Sequence, residues 1–129
     1  MAGKALLDTN VIIRLFDSDP ELLDLKVQRG ESLLCSVVLG ELYFGAYNSQ
    51  AVQKNLARLD DLAQLRSVVS CDERTADEYG KIKSELRAKG RPIPDNDIWI
   101  AALVRQHKLA IATRDNHFRH VDGVAVEEW

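Results

Sequence analysis

Short apolar runs alternate with longer amphipathic stretches along the chain, and this alternation predicts strands followed by helices. The segments 4–8 and 32–36 have apolar interiors between polar ends, and segment 109–113 is apolar up to Thr113, which is typical of strands buried on both faces. Between them, apolar residues recur at helical spacing, as Leu39 and Leu42 do. Parallel strands need helical crossovers of this kind. We therefore predict an α/β fold with a short central parallel sheet of four or five strands, flanked by helices.

Capping and helix-breaking residues set the ends of the predicted helices. Thr9 or Asn10 is expected to cap the first helix, because short polar side chains satisfy the free amides at a helix start. Pro20 fits the first position of the second helix. Asp72 is expected to cap a long helix, which Gly90 ends by allowing a left-handed turn.

Three further segments complete the predicted fold. The runs 68–69 and 123–126 are short apolar candidates for additional strands. Residues 98–104 are almost wholly apolar, so we expect this helix to be buried rather than amphipathic. Asp95 directly follows Pro94 and is expected to cap that helix.

Length and composition favour one soluble domain over residues 1–129. A chain of 129 residues has a common domain size, and 46% apolar with 29% charged residues is ordinary for a globular protein. No apolar run approaches the roughly 20 residues that a membrane span needs. Asp8 and Asn10 interrupt the first apolar stretch, so no signal peptide is predicted. We therefore expect a cytoplasmic protein without a membrane anchor.

The two cysteines predict no special chemistry. Cys35 and Cys71 are expected to be small buried residues in a reducing cytosol. Neither has partners at the spacing of zinc ligands, which argues against a zinc site.

Four acidic residues stand where predicted strands end or helices begin. Asp8 closes the first strand and Asp115 follows a later one, so both are expected at the carboxyl edge of a parallel sheet. Glu41 lies among apolar neighbours in the helix after the second strand, and Asp97 opens the buried helix. Each acid alone is also explained as a turn residue, a cap or a partner of the helix dipole.

Taken together, the four carboxylates predict a metal site. Without a cation they would repel one another and raise one another's pKa. A site rich in oxygen ligands suits Mg²⁺ or Mn²⁺, and such an ion can activate water and hold phosphate oxygens. Because carboxylates do not bind phosphates directly, chemistry on a nucleic acid at this site requires the metal ion.

Basic residues near these acids are candidate RNA contacts, although the net charge of −3 argues mildly against a nucleic-acid partner. Arg114, His117 and Arg119 adjoin the last of the four acids, which favours phosphate contact. Arg87 and Arg91 lie late in the long helix and in its exit loop. For these two, a solvated charged helix face is the simpler interpretation, and RNA contact is the alternative.

Four short motifs occur in order along the chain. They are Asp8-Thr9-Asn10 after a strand, Ser36 through Glu41-Leu42, Pro94 with Asp97 and Ile100-Ala101-Ala102, and Thr113-Arg114-Asp115 followed by Phe118. Together they resemble the PIN domain family over essentially the whole chain. More narrowly, they resemble the VapC-type toxins of bacterial toxin–antitoxin pairs. Each motif alone is weak, but all four in order at this length form a specific pattern.

The resemblance implies a ribonuclease that depends on Mg²⁺ or Mn²⁺. Its catalytic and metal-binding residues would be Asp8, Glu41, Asp97 and Asp115, with Asn10 and Thr113 as supporting polar residues. The resemblance also implies an RNA substrate, a homodimer, and a small cognate antitoxin that forms a hetero-oligomer with the toxin. In the family, the antitoxin tail commonly enters the active-site groove, and an acidic pocket favours a basic residue there.

Two alternatives stay open at this point. A PIN-like domain that has lost catalysis, and only binds RNA or protein, would share the fold, but the complete acidic set argues against it. A receiver-type signalling domain also places acids at strand ends. It fits poorly, because Arg114-Asp115 stands where a lysine is usual and Glu41 lies on a helix.

Overall fold

The computed structural model describes residues 4–65 and 68–129, which form four strands and six α-helices. The strands are β1 (Ala5–Leu7), β2 (Ser32–Leu33), β3 (Ala110–Ala112) and β4 (Ala125–Glu127). The helices are α1 (Thr9–Ser18), α2 (Pro20–Gln28), α3 (Ser36–Tyr47), α4 (Val52–Ala63), α5 (Glu73–Lys89) and α6 (Asp95–His107), with a 3₁₀ helix at Asn116–His120. Within the described ranges, no helix combines the length and apolarity needed to cross a membrane.

The strands form one parallel sheet in the order β2–β1–β3–β4. Leu7 pairs with Ala112 in the two central strands, and the backbone amide of Asp8 donates to the carbonyl oxygen of Ala112 at 3.0 Å. The chain therefore leaves β1 and β3 at the same edge of the sheet. The predicted α/β fold with a short parallel sheet is confirmed.

The core lies on both faces of the two central strands. Leu6, Leu7 and Ile111 are wholly inaccessible to solvent, and burial of a side chain of this size contributes about 1.5–3 kcal/mol. Residues 100–104 of α6 are also wholly inaccessible, so this helix is buried as predicted. Among the described residues, Phe118 in the 3₁₀ helix is the largest fully buried side chain, and it anchors that helix in the core.

The cap of α1 differs from the prediction. Asp8, rather than Thr9 or Asn10, occupies the cap position, and its Oδ1 accepts the backbone amide of Thr9 at 2.8 Å. The prediction was wrong because β1 already ends at Leu7. Asp8 therefore has the extended backbone that a cap residue requires, while Thr9 is the first helical residue.

The predicted starts of α2 and α5 and the predicted end of α5 are confirmed. Pro20 occupies the first turn of α2. The Asp72 carboxylate accepts the backbone amides of Arg74 and Thr75 at 2.9 and 3.1 Å, which satisfies free donors at the start of α5. Gly90 ends α5 with φ +68°, a left-handed conformation that favours glycine.

Asp95 does not cap α6, contrary to the prediction. Pro94 occupies the cap position. The carboxylate of Asp95 instead accepts the Tyr79 hydroxyl at 3.0 Å and the Lys83 ammonium at 3.1 Å. The hydrogen bond from Lys83, followed by that from Tyr79, holds the pKa of Asp95 below its usual value. Asp95 is therefore a surface link between α5 and α6.

The two shortest strand predictions need correction. In segment 68–69, only Val69 makes a bridge, pairing with Cys35 in parallel, and the neighbouring residues 66–67 lie outside the described ranges. The last strand begins at Ala125 rather than at position 123. Gly123 has φ +78°, which is incompatible with strand geometry, so the strand starts later.

The cysteines have different environments. Cys35 is buried, as predicted, and burial raises the pKa of its thiol to about 12. A thiol with so little thiolate is a packing group rather than a nucleophile. Cys71 is exposed, so the prediction that it is buried was wrong. Its position just before the polar start of α5 places it at the surface.

Candidate active site

The carboxyl edge of the sheet and the adjoining helices bring all four predicted acids together. Asp8 and Asp115 follow β1 and β3, Glu41 lies in α3, and Asp97 lies in the first turn of α6. Burial is the largest cause that raises the pKa of Asp8, and the charges of Glu41 and Asp115 raise it further. Asp8 and Asp115 likewise add to the effect of burial in raising the pKa of Asp97. The four carboxylates thus form one electrostatically connected cluster.

Asp8 is the most buried of the four acids, with 4% of its surface exposed. Its Oδ2 accepts the hydroxyl of Thr113 at 2.6 Å and the side-chain amide of Asn10 at 3.3 Å. Burial raises the pKa of Asp8, and the hydrogen bond from Thr113 lowers it by less. Asp8 is therefore held in one orientation, while its negative charge is only partly compensated.

Thr113 and Asn10 connect the chain segments that leave β1 and β3. Besides donating to Asp8, the Thr113 hydroxyl accepts the backbone amide of Asp115 at 2.9 Å. The side-chain oxygen of Asn10 accepts the backbone amide of Arg114 at 3.3 Å. These bonds hold the Asp115 loop beside Asp8, which is consistent with the supporting role predicted for both residues.

Replacing Thr113 with valine is expected to lower the free energy of unfolding by about 1–3 kcal/mol. Valine keeps the branched shape but leaves Asp8 without its 2.6 Å donor and the amide of Asp115 without its acceptor. Urea denaturation measures the change, and Thr113→Ser is the matched control because it keeps the hydroxyl. Equal stability of the valine variant and the parent protein would show that the two bonds contribute nothing.

Glu41 is half-buried and held by two polar side chains. Its Oε2 accepts the hydroxyl of Thr9 at 2.6 Å, and its Oε1 accepts the side-chain amide of Asn96 at 2.8 Å. Thr9 and Asn96 were not predicted to contact Glu41. The available signal was their position, since each directly neighbours one of the predicted acids along the chain.

Asp97 and Asp115 meet at the imidazole of His117. Nδ1 of His117 lies 2.8 Å from Oδ2 of Asp97 and 3.0 Å from Oδ1 of Asp115. Burial raises the pKa of Asp97, and the hydrogen bond with His117 opposes this effect. The same hydrogen bond raises the pKa of His117. His117 was predicted as an RNA contact, but the structure places its Nδ1 within the acidic cluster.

The other predicted RNA contacts lie on the surface. Nε of Arg114 donates to the backbone oxygen of Trp129 at 2.9 Å, and Arg119 pairs with Glu128 at 3.1 Å. Arg87 and Arg91 are exposed at the end of α5 and in the turn that follows. For all four arginines, contact with RNA stays a prediction.

The donor set fits a hard divalent cation. Asp8, Glu41, Asp97 and Asp115 offer carboxylate oxygens, and the first three are fixed by hydrogen bonds to neighbouring side chains. Burial and mutual repulsion raise the pKa of Asp8 and Asp97, so their ionised forms are unfavourable without a cation. A cation would remove that penalty, and oxygen-rich sites of this kind suit Mg²⁺ or Mn²⁺.

The fold and the acidic edge are those of a PIN domain. The PIN domain family matches residues 5–124, and the chain therefore belongs to this family. The resemblance drawn from the four sequence motifs is confirmed. Family membership also sets aside the receiver-type alternative.

Within this family, the chain is similar to VapC proteins over nearly its whole length. It is 32% identical to Ribonuclease VapC2 of Haemophilus influenzae, and the alignment covers 98% of each chain. It is 33% identical to the tRNA(fMet)-specific endonuclease VapC of Shigella flexneri, again over 98% of each. A chain of the DNA-bound VapBC structure from Salmonella typhimurium is 30% identical with a TM-score of 0.86, covering 100% of this chain and 99% of that chain.

Proposed function

We propose that this chain is a metal-dependent endoribonuclease and the toxin of a toxin–antitoxin pair. The observation that carries the proposal is the cluster of four carboxylates at one edge of a PIN-domain sheet, three of them fixed by hydrogen bonds to neighbouring side chains. The names of the similar proteins, a ribonuclease and a tRNA endonuclease, support RNA as the substrate. The VapBC complex from Salmonella supports an antitoxin partner.

In this proposal, each acid has a defined task. Asp8, Asp97 and Asp115 would hold Mg²⁺ or Mn²⁺, and the ion would supply Lewis acidity and make water a better nucleophile. Glu41, fixed by Thr9 and Asn96, either completes the ligand set or orients the attacking water. In the reaction, the water oxygen forms a bond to phosphorus, the bond between phosphorus and the 3′ oxygen breaks, and a proton from the water ends on the 3′ oxygen. The products are a 5′-phosphate and a 3′-hydroxyl.

An apolar groove next to Glu41 supports the antitoxin assignment. Ile13, Phe16, Leu42 and Leu59 line this groove, which has a volume of about 290 Å³ and reaches Glu41. An antitoxin tail could bury apolar residues there and place a basic residue against the acids. We further propose that the toxin forms a homodimer and, with the antitoxin, a hetero-oligomer.

The test is RNA cleavage by the purified chain without antitoxin. Initiator tRNA and total RNA serve as substrates, with Mg²⁺, Mn²⁺ or EDTA. We expect cutting with either metal ion, none in EDTA, and fragments that carry a 5′-phosphate. Cutting that persists in EDTA would exclude the metal mechanism. RNA binding without cutting in any metal would instead favour a catalytically inactive PIN-like module.

The toxin assignment needs a separate genetic test. Expression of the chain alone is expected to arrest bacterial growth, and co-expression of a small neighbouring gene is expected to relieve the arrest. Growth without arrest, from a protein that cleaves RNA in vitro, would reject the toxin role and keep the nuclease.

A further inference from the structure

His117 brings a nitrogen atom into a site that is otherwise built from oxygen. The Asp115 carboxylate accepts the backbone amide of His117 at 2.9 Å and so starts the 3₁₀ helix that carries this residue. Phe118, the next residue, is wholly buried and holds the turn in place. The His117 imidazole is thereby directed at Asp97 and Asp115.

The separations within this group match those of metal ligands. Among the described residues, Asp97, Asp115 and His117 form a group whose ligand atoms all lie within 4.8 Å of one another. Nδ1 of His117 is 2.8 and 3.0 Å from the nearest oxygens of Asp97 and Asp115. Two ligands at about 2.1 Å from an ion, on adjacent corners of an octahedron, are about 3.0 Å apart. The distances from Nδ1 of His117 to both carboxylates are therefore those of neighbouring ligands of one ion.

We propose that Nδ1 of His117 is a ligand of the catalytic metal ion, and that the site consequently prefers Mn²⁺ to Mg²⁺. The inference rests on the proposed metal-dependent function and refines it. Mg²⁺ is bound through carboxylates, phosphates and water. Mn²⁺ accepts imidazole beside carboxylates, as in di-manganese carboxylate sites, whereas Mg²⁺ takes oxygen ligands, so a nitrogen ligand favours Mn²⁺ over Mg²⁺.

The alternative is that His117 only forms hydrogen bonds with Asp97 and Asp115, and that these exist only when no metal ion is bound. The side chain of His117 is 43% exposed, so the imidazole has room to turn away when an ion binds. In that case His117 would contribute nothing to metal affinity, and its removal would leave the affinities for Mn²⁺ and Mg²⁺ in the same ratio.

Calorimetric titration separates the two outcomes. Mn²⁺ and Mg²⁺ are titrated separately into the full chain, His117→Ala and His117→Asn. The matched control is His107→Ala, an exposed histidine at the opposite end of α6 from Asp97. Both His117 variants are expected to bind Mn²⁺ at least about 10-fold more weakly, with a change of less than about 3-fold for Mg²⁺, and the control should match the parent. Equal losses for the two ions, or unchanged Mn²⁺ binding, would overturn the inference.

Pulsed electron paramagnetic resonance of the Mn²⁺-loaded protein tests the bond directly. We expect modulation from a coordinated ¹⁴N nucleus in the parent and in His107→Ala, and its loss in both His117 variants. Tight Mn²⁺ binding without nitrogen modulation would reject the His117 ligand while keeping the proposed function. No binding of either ion would instead reject the metal-dependent function itself. Circular dichroism confirms that each variant is folded.

Discussion

Replacing Asp97 with asparagine is expected to slow RNA cleavage at least about 100-fold while leaving the protein folded. Asp97 is 6% exposed and lies in the first turn of α6, and its carboxylate is one of the proposed metal ligands. A bound metal ion contributes several kcal/mol of transition-state stabilisation, and about 2.7 kcal/mol corresponds to 100-fold in rate. Single-turnover cleavage of one RNA by equal amounts of parent and variant measures the loss.

Asp95→Asn is the matched control for this experiment. Asp95 lies two positions earlier in the same helical turn, but its carboxylate contacts Tyr79 and Lys83 on α5. Its loss should weaken a surface contact and leave cleavage within about threefold of the parent, since exposed ion pairs contribute at most about 1 kcal/mol. Equal loss of activity in both variants would contradict the assignment of Asp97 as the ligand.

Thermal unfolding provides a second readout on Asp97→Asn. Burial raises the pKa of Asp97, so the protonated carboxyl group stabilises the folded protein at pH values below the usual pKa of aspartate. This contribution to the free energy of unfolding is lost as the pH rises through the raised pKa. At neutral pH in EDTA, the parent protein keeps an ionised carboxylate in a buried position, which costs free energy. The neutral asparagine avoids this cost, and the variant should unfold at no lower temperature than the parent. Mn²⁺ at 100 times its dissociation constant should stabilise the parent by about 2.7 kcal/mol and the variant far less.

The sheet and the positions of two of the four acids could be predicted from the apolar pattern alone. The runs around Leu6 and Ile111 predicted buried parallel strands, and parallel strands place Asp8 and Asp115 at one edge. Glu41 and Asp97 were less distinctive, because a glutamate within a helix and an aspartate at a helix start have ordinary structural roles. The family resemblance was needed to choose Asp97 over Asp95.

The contacts within the site were not predictable from the sequence, because they join distant parts of the chain. Asn96 reaches Glu41 across 55 positions, and Thr113 reaches Asp8 across 105. The role of Asp95 depends on how α5 packs against α6, which no local pattern specifies. For His117, position beside an acid suggested phosphate contact, whereas the 3₁₀ turn directs its ring at the carboxylates.

Phe118→Ala is expected to lower the free energy of unfolding by about 3–5 kcal/mol. Phe118 is wholly buried, and alanine leaves a cavity in the core. This loss is a large part of the roughly 5–15 kcal/mol that stabilises a domain. Urea denaturation monitored by circular dichroism measures it, and Phe118→Leu, which keeps most of the apolar volume, should cost clearly less.

The same substitution should affect the site beyond its effect on stability. Phe118 fixes the short helix whose preceding residue is Asp115 and whose second residue is His117. With the anchor removed, the turn is free to shift, and a displacement of about 1 Å can cost roughly 100-fold in rate. At a temperature where Phe118→Ala is still folded, we therefore expect slower cleavage and weaker Mn²⁺ binding. Parent-like activity in the folded variant would mean that the Asp115 turn keeps its position through the Thr113 and Asn10 hydrogen bonds alone.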